Sequence, residues 1–156
     1  MSSLSRIGSF FHLLSAAHRV RIALDDVCAF DEYVFHEVML LRALSATGAP
    51  MSGVELARAL GWSGGRVSTV VKSLLAKEMI ARAKHPNRRC RAVKLTDKGF
   101  AELRSAEALV DTVAAPTLET FDGSELAAFA GLIHRVAERS AMLWRHRRPD
   151  AIDGRD

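Results

Sequence analysis

Apolar residues recur at every third or fourth position in six segments of the chain, the spacing that places them on one face of an α-helix. In the first segment this stripe runs from Leu4 to Ile22, and in the last it runs from Leu126 to Leu143. The fifth helix is expected to end at Ala115, because Pro116 follows it. The pattern predicts six helices, at about residues 3–29, 32–45, 52–60, 64–77, 97–115 and 123–147.

Capping residues stand at the start of five of these helices: Asp31, Ser52, Ser63, Thr96 and Asp122. Ser52 and Asp122 are each followed three residues later by a glutamate, which is the capping-box pattern. The third and fourth helices are separated only by "GWS", a three-residue turn that contains a glycine. Two short helices joined in this way predict a helix-turn-helix.

Two short segments after the helix-turn-helix alternate between apolar and polar or small residues, as β-strands do. They span Met79–Lys84 and Arg91–Leu95, and "HPNR" lies between them. This arrangement predicts a β-hairpin in which Val93 and Leu95 face the core. The predicted fold class is therefore mainly α with a small β-hairpin wing, that is, a winged helix-turn-helix flanked by long helices.

Positive charge is concentrated in this same middle part of the chain. Residues 50–100 hold 11 Lys/Arg and 3 Asp/Glu, whereas the other residues hold 11 and 15. A basic segment between mildly acidic ones indicates a module that binds a polyanion. The hydrophobic content of 49% suffices for a folded core, and no apolar run reaches the roughly 18 residues of a membrane span. With two cysteines and no pattern of a signal peptide, we expect a cytoplasmic protein.

The fourth helix carries the main candidate site. With Val67, Val70 and Leu74 facing inward, its outer face is small and polar and includes an arginine, which can bind guanine through two hydrogen bonds. Arginines at the hairpin tip can reach phosphates or the minor groove. The alternatives are an ordinary solvated helix face and a solvated charged loop. The predicted DNA-binding residues are Ser63, Gly65, Arg66, Ser68, Thr69, Lys72 and Ser73 on the helix, and Arg88, Arg89 and Arg91 on the wing.

Residues 52–99 resemble the DNA-binding domain of the multiple antibiotic resistance regulator (MarR) family. The resemblance rests on the helix pair, on the helix exit that ends at Arg82 and on the segment "NRRCRAVKLTDKG". Two positions depart from the usual pattern of the family. Asn87 stands where the wing motif usually has aspartate, and Glu78 stands where the recognition helix usually exits at a glycine. Glu78 must therefore adopt a left-handed conformation or end the helix differently.

The resemblance implies an obligate homodimer in which the first, fifth and sixth helices interlock two protomers. Residues 1–30 and 97–148 would form the helical dimerisation region, residues 31–96 the winged helix-turn-helix DNA-binding domain, and residues 149–156 a flexible tail. The implied function is a dimeric, sequence-specific transcriptional repressor that binds an inverted repeat in double-stranded DNA. A small aromatic or anionic effector would release it, and His36 is the candidate effector-binding residue.

Two other functions remain open: an effector-independent architectural DNA-binding protein and a winged-helix module for protein interaction. An enzyme is not expected, because the sequence has no nucleophile elbow, phosphate-binding glycine loop or paired-carboxylate motif. No Cys-x-x-Cys or His-x-x-x-His spacing occurs, so neither a metal nor a cofactor is predicted. Cys28 is expected to be a passive buried thiol and Cys90 a replacement for Ala or Ser of compatible size.

Overall fold

Nine helices and strands follow one another in the computed structural model of the chain, which describes residues 6–28, 32–84 and 91–147. Their order confirms the predicted fold class, a mainly helical chain with a small β-sheet wing. The elements are α1 (Arg6–Cys28), α2 (Glu32–Thr47), β1 (Met51–Ser52), α3 (Gly53–Leu60), α4 (Gly64–Ala76), β2 (Ile80–Ala83), β3 (Ala92–Leu95), α5 (Asp97–Leu118) and α6 (Gly123–Arg147).

One hydrophobic core joins the helix-turn-helix to the wing. Ile80 of β2 and Val93 of β3 belong to the same cluster as the helical residues, and the half-buried Leu95 packs against it. Full burial of such an aliphatic side chain stabilises a fold by roughly 1.5–3 kcal/mol. The shared packing therefore fixes the base of the wing relative to α4. The most deeply buried side chains of this core come from α2, α3, α4 and α5: Leu40, Leu56, Val70, Leu74 and Leu103.

The strands form a three-stranded antiparallel sheet in the order β1-β3-β2. The sequence pattern predicted the hairpin of β2 and β3 but missed β1, which is only two residues long. Alternation between apolar and polar positions cannot be recognised over so short a segment. In the observed register, Val93 lies opposite both Met51 and Arg82. β3 is therefore the central strand, and at the base of the wing it is hydrogen-bonded to β1 on one side and to β2 on the other.

The two helices of the helix-turn-helix are each followed by a residue with left-handed backbone conformation. Gly61 closes α3 at φ 66°, a conformation that glycine adopts without strain. Glu78 follows α4 at φ 59° and is the one non-glycine residue with positive φ in the described part of the chain. The Met79 amide donates to the Leu74 carbonyl at 2.9 Å, and the Glu78 amide donates to Leu75 at 3.1 Å. These are the two bonds of a Schellman motif, so Glu78 takes the position that glycine usually occupies.

Helix α5 continues through Pro116, which corrects the prediction that it ends at Ala115. The amide of Glu119 still donates to the Ala115 carbonyl at 3.0 Å, so the helical bonding pattern persists beyond the proline. Proline lacks an amide hydrogen and therefore removes one helical hydrogen bond. In the last turn of a long helix this single loss does not end the helix.

The predicted capping box at the start of α6 is present. The Asp122 carboxylate oxygen Oδ1 accepts hydrogen bonds from the amides of Ser124 at 2.7 Å and Glu125 at 2.9 Å. The Glu125 carboxylate accepts in return from the Asp122 amide at 3.0 Å. The hydroxyl of Ser124 and these amides lower the pKa of Asp122 below its usual value of 3.8. The cap is therefore ionised at neutral pH.

The carbonyl of Met79 is a junction between α4, the wing and α5. It accepts hydrogen bonds from the amide of Thr96 at 3.2 Å and from its hydroxyl at 3.0 Å. The Thr96 hydroxyl oxygen in turn caps α5 by accepting from the Gly99 amide at 3.1 Å. Gly99 is buried, and a Cβ atom at this position would overlap the Met79 carbonyl oxygen. A glycine is therefore needed here because two backbone segments approach closely.

Substituting Gly99→Ala should destabilise the fold, because the added methyl group must displace backbone atoms of Met79. Overpacking of this kind costs about 1–3 kcal/mol in the free energy of unfolding, which urea denaturation measures. The matched control is Gly131→Ala in α6, where a Cβ would meet no atom within 4 Å. The control should be neutral or stabilising by up to about 1 kcal/mol. A Gly99→Ala variant as stable as the parent would contradict the close approach.

Candidate nucleic-acid interface

Helix α4 presents two different faces because of where its apolar residues fall. Val67, Val70 and Leu74 are buried in the core, as predicted, and Val71 is half-buried. Ser63 is the N-cap residue, and its side-chain oxygen accepts from the amide of Arg66 at 3.3 Å. The exposed residues of the opposite face are Gly64, Gly65, Arg66, Ser68, Thr69 and Lys72. The structure thus brings most of the predicted helix residues together on one surface, which we call the α4 face.

The start of the α4 face consists of bare backbone. The first amides of a helix have no acceptor within the helix, and Ser63 satisfies that of Arg66. The amides of Gly64 and Gly65 are left for solvent or for an anion. A Cβ atom at either glycine would meet nothing within 4 Å, and neither has a positive φ. The fold of this chain therefore does not require glycine at these two positions.

Two residues near the C-terminal end of α4 are engaged inside the protein. The hydroxyl of Ser73 donates to Glu37 Oε1 at 2.6 Å. Lys77 Nζ donates to Glu37 Oε1 at 2.8 Å and to Oε2 at 2.6 Å. Glu37 belongs to α2 and is 4% exposed, so these bonds tie α2 to α4. Ser73 is half-buried and its hydroxyl points to α2, whereas sequence spacing placed it on the outer face; its contact with DNA stays a prediction.

The wing places two arginines across a groove from the α4 face. Arg82 of β2 and Arg91, which precedes β3, are exposed, and both line a cavity of about 550 Å³. The other walls of this groove include the start of α3 and the first turns of α4, with Gly64, Gly65 and Ser68 among the lining residues. The predicted wing residues Arg88 and Arg89 lie outside the described residues.

Arg82 was not predicted as a site residue. Its register opposite Val93 puts it on the same face of the sheet as Arg91, which stands two residues before Val93. The register of the hairpin was needed to bring the two arginines together, and alternation within one strand does not reveal that register. The sequence did contain a sign of this site: a basic residue, Arg82, after the recognition helix, followed by a second strand segment rich in basic residues.

Two acidic side chains near this surface are bonded to partners within the fold. Glu55 Oε2 accepts from the amide of Ser52 at 2.7 Å and from its hydroxyl at 2.8 Å, within the predicted capping box of α3. Glu37 is paired with Lys77. Arg66 and Lys72, by contrast, lie on the exposed side of α4. The surface facing outward from α4 and the wing is therefore cationic.

His36 packs against two aromatic rings. Its ring lies edge-on to the ring of Trp62, with centroids 5.0 Å apart at 83°, and it also contacts Phe35 at 6.1 Å. Trp62 is the half-buried residue of the turn between α3 and α4. The His36 ring therefore supports this turn, and its effector-binding role stays a prediction.

Neither a metal site nor a membrane-spanning helix is found in the described part of the chain. Residues 6–28, 32–84 and 91–147 contain no group of three His, Cys, Asp or Glu side chains that could hold a metal ion. Among the described helices, none is long and apolar enough to cross a membrane. Cys90 lies outside the described residues, and the side chain of Cys28 is also outside them.

A capped helix with an exposed polar face, set beside a basic β-wing, defines a winged helix-turn-helix domain. Residues 35–89 match the family model described as MarR family. Over these residues the chain is similar to the MarR family, as the sequence motifs indicated. A comparison with curated proteins gives no significant match.

Solved structures share the fold over most of the chain. The PcaV transcriptional regulator from Streptomyces coelicolor, solved with its natural ligand, has a TM-score of 0.70 and 20% identity, covering 90% of this chain and 99% of PcaV. BldR from Sulfolobus solfataricus has a TM-score of 0.66 and 20% identity, and the match covers 86% of this chain and 99% of BldR. BpsR from Bordetella bronchiseptica has a TM-score of 0.64 and 22% identity, and the match covers 83% of this chain and 98% of BpsR. At such identities the similarity shows the fold.

Replacing Gly65 by alanine should separate stability from DNA binding. The added methyl group meets no protein atom and should stabilise α4 by about 0.5–1 kcal/mol, measured as an increase in the free energy of unfolding. If the bare backbone approaches DNA, the same methyl group should weaken binding of a DNA duplex, measured by fluorescence anisotropy. Gly131→Ala in α6 is the matched control, since a Cβ there also meets nothing within 4 Å and Gly131 lies outside the groove. Unchanged DNA affinity in Gly65→Ala would show that this turn does not approach DNA closely.

Proposed function

We propose that this chain is a dimeric transcriptional regulator, not an enzyme, that binds an inverted repeat in double-stranded DNA and is released by a small molecule. The single observation that carries this proposal is the pairing of the glycine-led, cationic α4 face with Arg82 and Arg91 across one groove. Helix α4 has the length and the exposed polar side chains to enter a major groove, and the wing lies where it can reach the adjacent backbone. Such a regulator would act in the cytoplasm.

The dimer is supported by apolar surface that one chain leaves uncovered. Helix α6 is 25 residues long and has no extensive contact with another described element. Phe11 of α1 is 65% exposed, and Phe129 of α6 is 58% exposed. Burying such side chains is favourable by roughly 1.5–3 kcal/mol each, and exposed apolar patches of this kind mark interfaces. We propose that α1, α5 and α6 form the dimer interface. The exposed apolar side chains of α6 are Phe129, Leu132, Ile133, Val136, Met142 and Leu143.

Control by a small molecule is supported by the comparisons and by the cavities of the fold. One of the similar structures concerns regulation of DNA binding of BpsR by 6-hydroxynicotinic acid, and PcaV was solved with its natural ligand. We propose that DNA binding by the present chain is likewise controlled by a small molecule, and that the chain acts as a repressor. An architectural DNA-binding protein would have the same α4 face but no ligand response. A protein-interaction module would not need the cationic groove.

The dimer makes a prediction about mass and footprint. Light scattering at micromolar concentration should give twice the chain mass of 17.1 kDa, and the DNA footprint should show two half-sites about 10 bp apart with two-fold symmetry. Phe129→Glu should produce a monomer, because it places a charge in the proposed interface. Glu138→Lys is the control, since nine residues along a helix is about half a rotation. A monodisperse parent monomer would be inconsistent with the proposal.

The two DNA-contacting elements should respond differently to loss of an arginine. Arg66→Ala should cost roughly 1–3 kcal/mol on the specific site and reduce discrimination against an altered site. Arg91→Ala should weaken specific and non-specific binding together and reduce the slope of log affinity against log salt by about one. Titrations on specific and scrambled duplexes at several salt concentrations measure both effects.

The control for these two variants is Arg139→Ala, which removes an exposed arginine from α6. It should leave affinity and salt slope unchanged. The same titration on Arg88→Ala and Arg89→Ala tests the two predicted wing contacts outside the described residues. If Arg91→Ala keeps the parent's salt slope, the base of the wing does not contact phosphate.

A further inference from the structure

The hydroxyl group of Thr69 is bonded within α4 itself. Thr69 is exposed on the α4 face, and its Oγ1 donates to the carbonyl of Gly65, one turn earlier, at 3.1 Å. A threonine hydroxyl has a single hydrogen to donate. While this bond is kept, the side chain has no donor for the N7, O6 and O4 acceptors that bases present in the major groove. Thr69 therefore does not read those acceptors.

The γ-methyl group is the part of Thr69 that remains available to a base. A helical side chain leans over the turn on its N-terminal side, and that turn contains Gly65, to which the hydroxyl is bonded. A Cβ atom placed at Gly65 would meet no atom within 4 Å. The space beside Thr69 is therefore not filled by a side chain of this chain, and it is open to the edge of an incoming base.

Thymine is the base whose edge matches this surface. It presents a C5-methyl group in the major groove, which adenine, guanine and cytosine lack, and apolar contact with a threonine methyl group is one of the ways in which proteins recognise it. Such a contact is favourable because both methyl groups leave water. The other hydroxyl residues of α4, Ser68 and Ser73, have no methyl group. Among the hydroxyl residues of this helix, Thr69 is thus the one suited to thymine.

We propose that the γ-methyl group of Thr69 contacts the C5-methyl group of a thymine in each half-site, which makes Thr69 a specificity-determining residue. This inference rests on the proposed function, because it assigns one base to a surface that we propose contacts DNA. The competing reading uses the hydroxyl oxygen, which can still accept a hydrogen bond from the amino group of adenine or cytosine. The two readings require different parts of the same side chain.

The probe is a DNA duplex that the full chain selects from a random library. Each thymine of the selected half-site is replaced in turn by uracil, which lacks only the C5-methyl group. Fluorescence anisotropy measures the dissociation constant of each duplex. One such replacement should raise the dissociation constant about fourfold in one half-site and about 16-fold in both, the effect expected for one buried methyl group per half-site. A selected duplex in which no thymine responds to this replacement would overturn the proposal.

Two substitutions separate the methyl group of Thr69 from its hydroxyl group. Thr69→Ser keeps the hydroxyl that bonds Gly65 and removes the methyl group, so thymine and uracil should bind equally well at the sensitive position. Thr69→Val keeps a methyl group and removes the hydroxyl, so the loss of affinity on replacement by uracil should persist. The opposite result, in which the effect of uracil persists in Thr69→Ser and affinity is lost in Thr69→Val, would assign the contact to the hydroxyl group and overturn the proposal.

Thr117→Ser is the matched control. Thr117 of α5 is also exposed, and its hydroxyl also donates to the carbonyl four residues earlier, that of Val113, at 2.6 Å. Loss of its methyl group should leave the effect of uracil unchanged, and circular dichroism should show the parent's helix content in all three variants.

The selection step distinguishes this inference from the proposed function. A chain that selects a duplex with two-fold symmetry, and shows the same response to uracil with and without the Thr69 methyl group, overturns the thymine contact and leaves the regulator intact. A chain that selects no duplex overturns both.

Discussion

The close approach at Met79 is the constraint on which the rest of the structure depends. The amide of Met79 donates to the C-terminal turn of α4, and its carbonyl accepts from Thr96, the N-cap of α5. One residue is therefore bonded to the ends of both helices. This arrangement needs a turn after α4 that reverses the chain within two residues. Glu78 provides it with a left-handed conformation, which costs an ordinary residue roughly 1–2 kcal/mol. Gly99 leaves the room in which α5 can pack against the turn.

Local chemistry was sufficient to predict most of the winged helix. The caps at Ser52, Ser63, Thr96 and Asp122 were found where the sequence placed them, because a cap depends on residues within three positions of each other. The predicted cap Asp31 lies outside the described residues. The buried face of α4 followed from the helical period in the same way. Glu78 was identified as a position where the chain must choose between two conformations, and the structure shows the left-handed one.

The features that the sequence did not predict depend on distant residues. Strand β1 exists because β3 pairs with it, about 40 residues further along the chain. Ser73 appeared to be on the outer face until Glu37, 36 residues earlier, was seen to accept its hydrogen bond. Pro116 was treated as a helix end by local rules, although the rest of a long helix outweighs one missing hydrogen bond. The groove between Arg82 and α4 likewise required the hairpin register.

The two-residue strand β1 has a mechanical consequence. Ser52 pairs with Ala92 of the wing and also caps α3, so the wing is attached to the helix-turn-helix at a strand edge as well as through the core. The helix that carries Arg66 and the base of the wing that carries Arg91 are thus held together as one unit. A stimulus that changes DNA binding would then rotate this unit as a whole. In the proposed dimer, such a stimulus would change the distance and angle between the two units and leave the DNA-contacting surface of each unchanged.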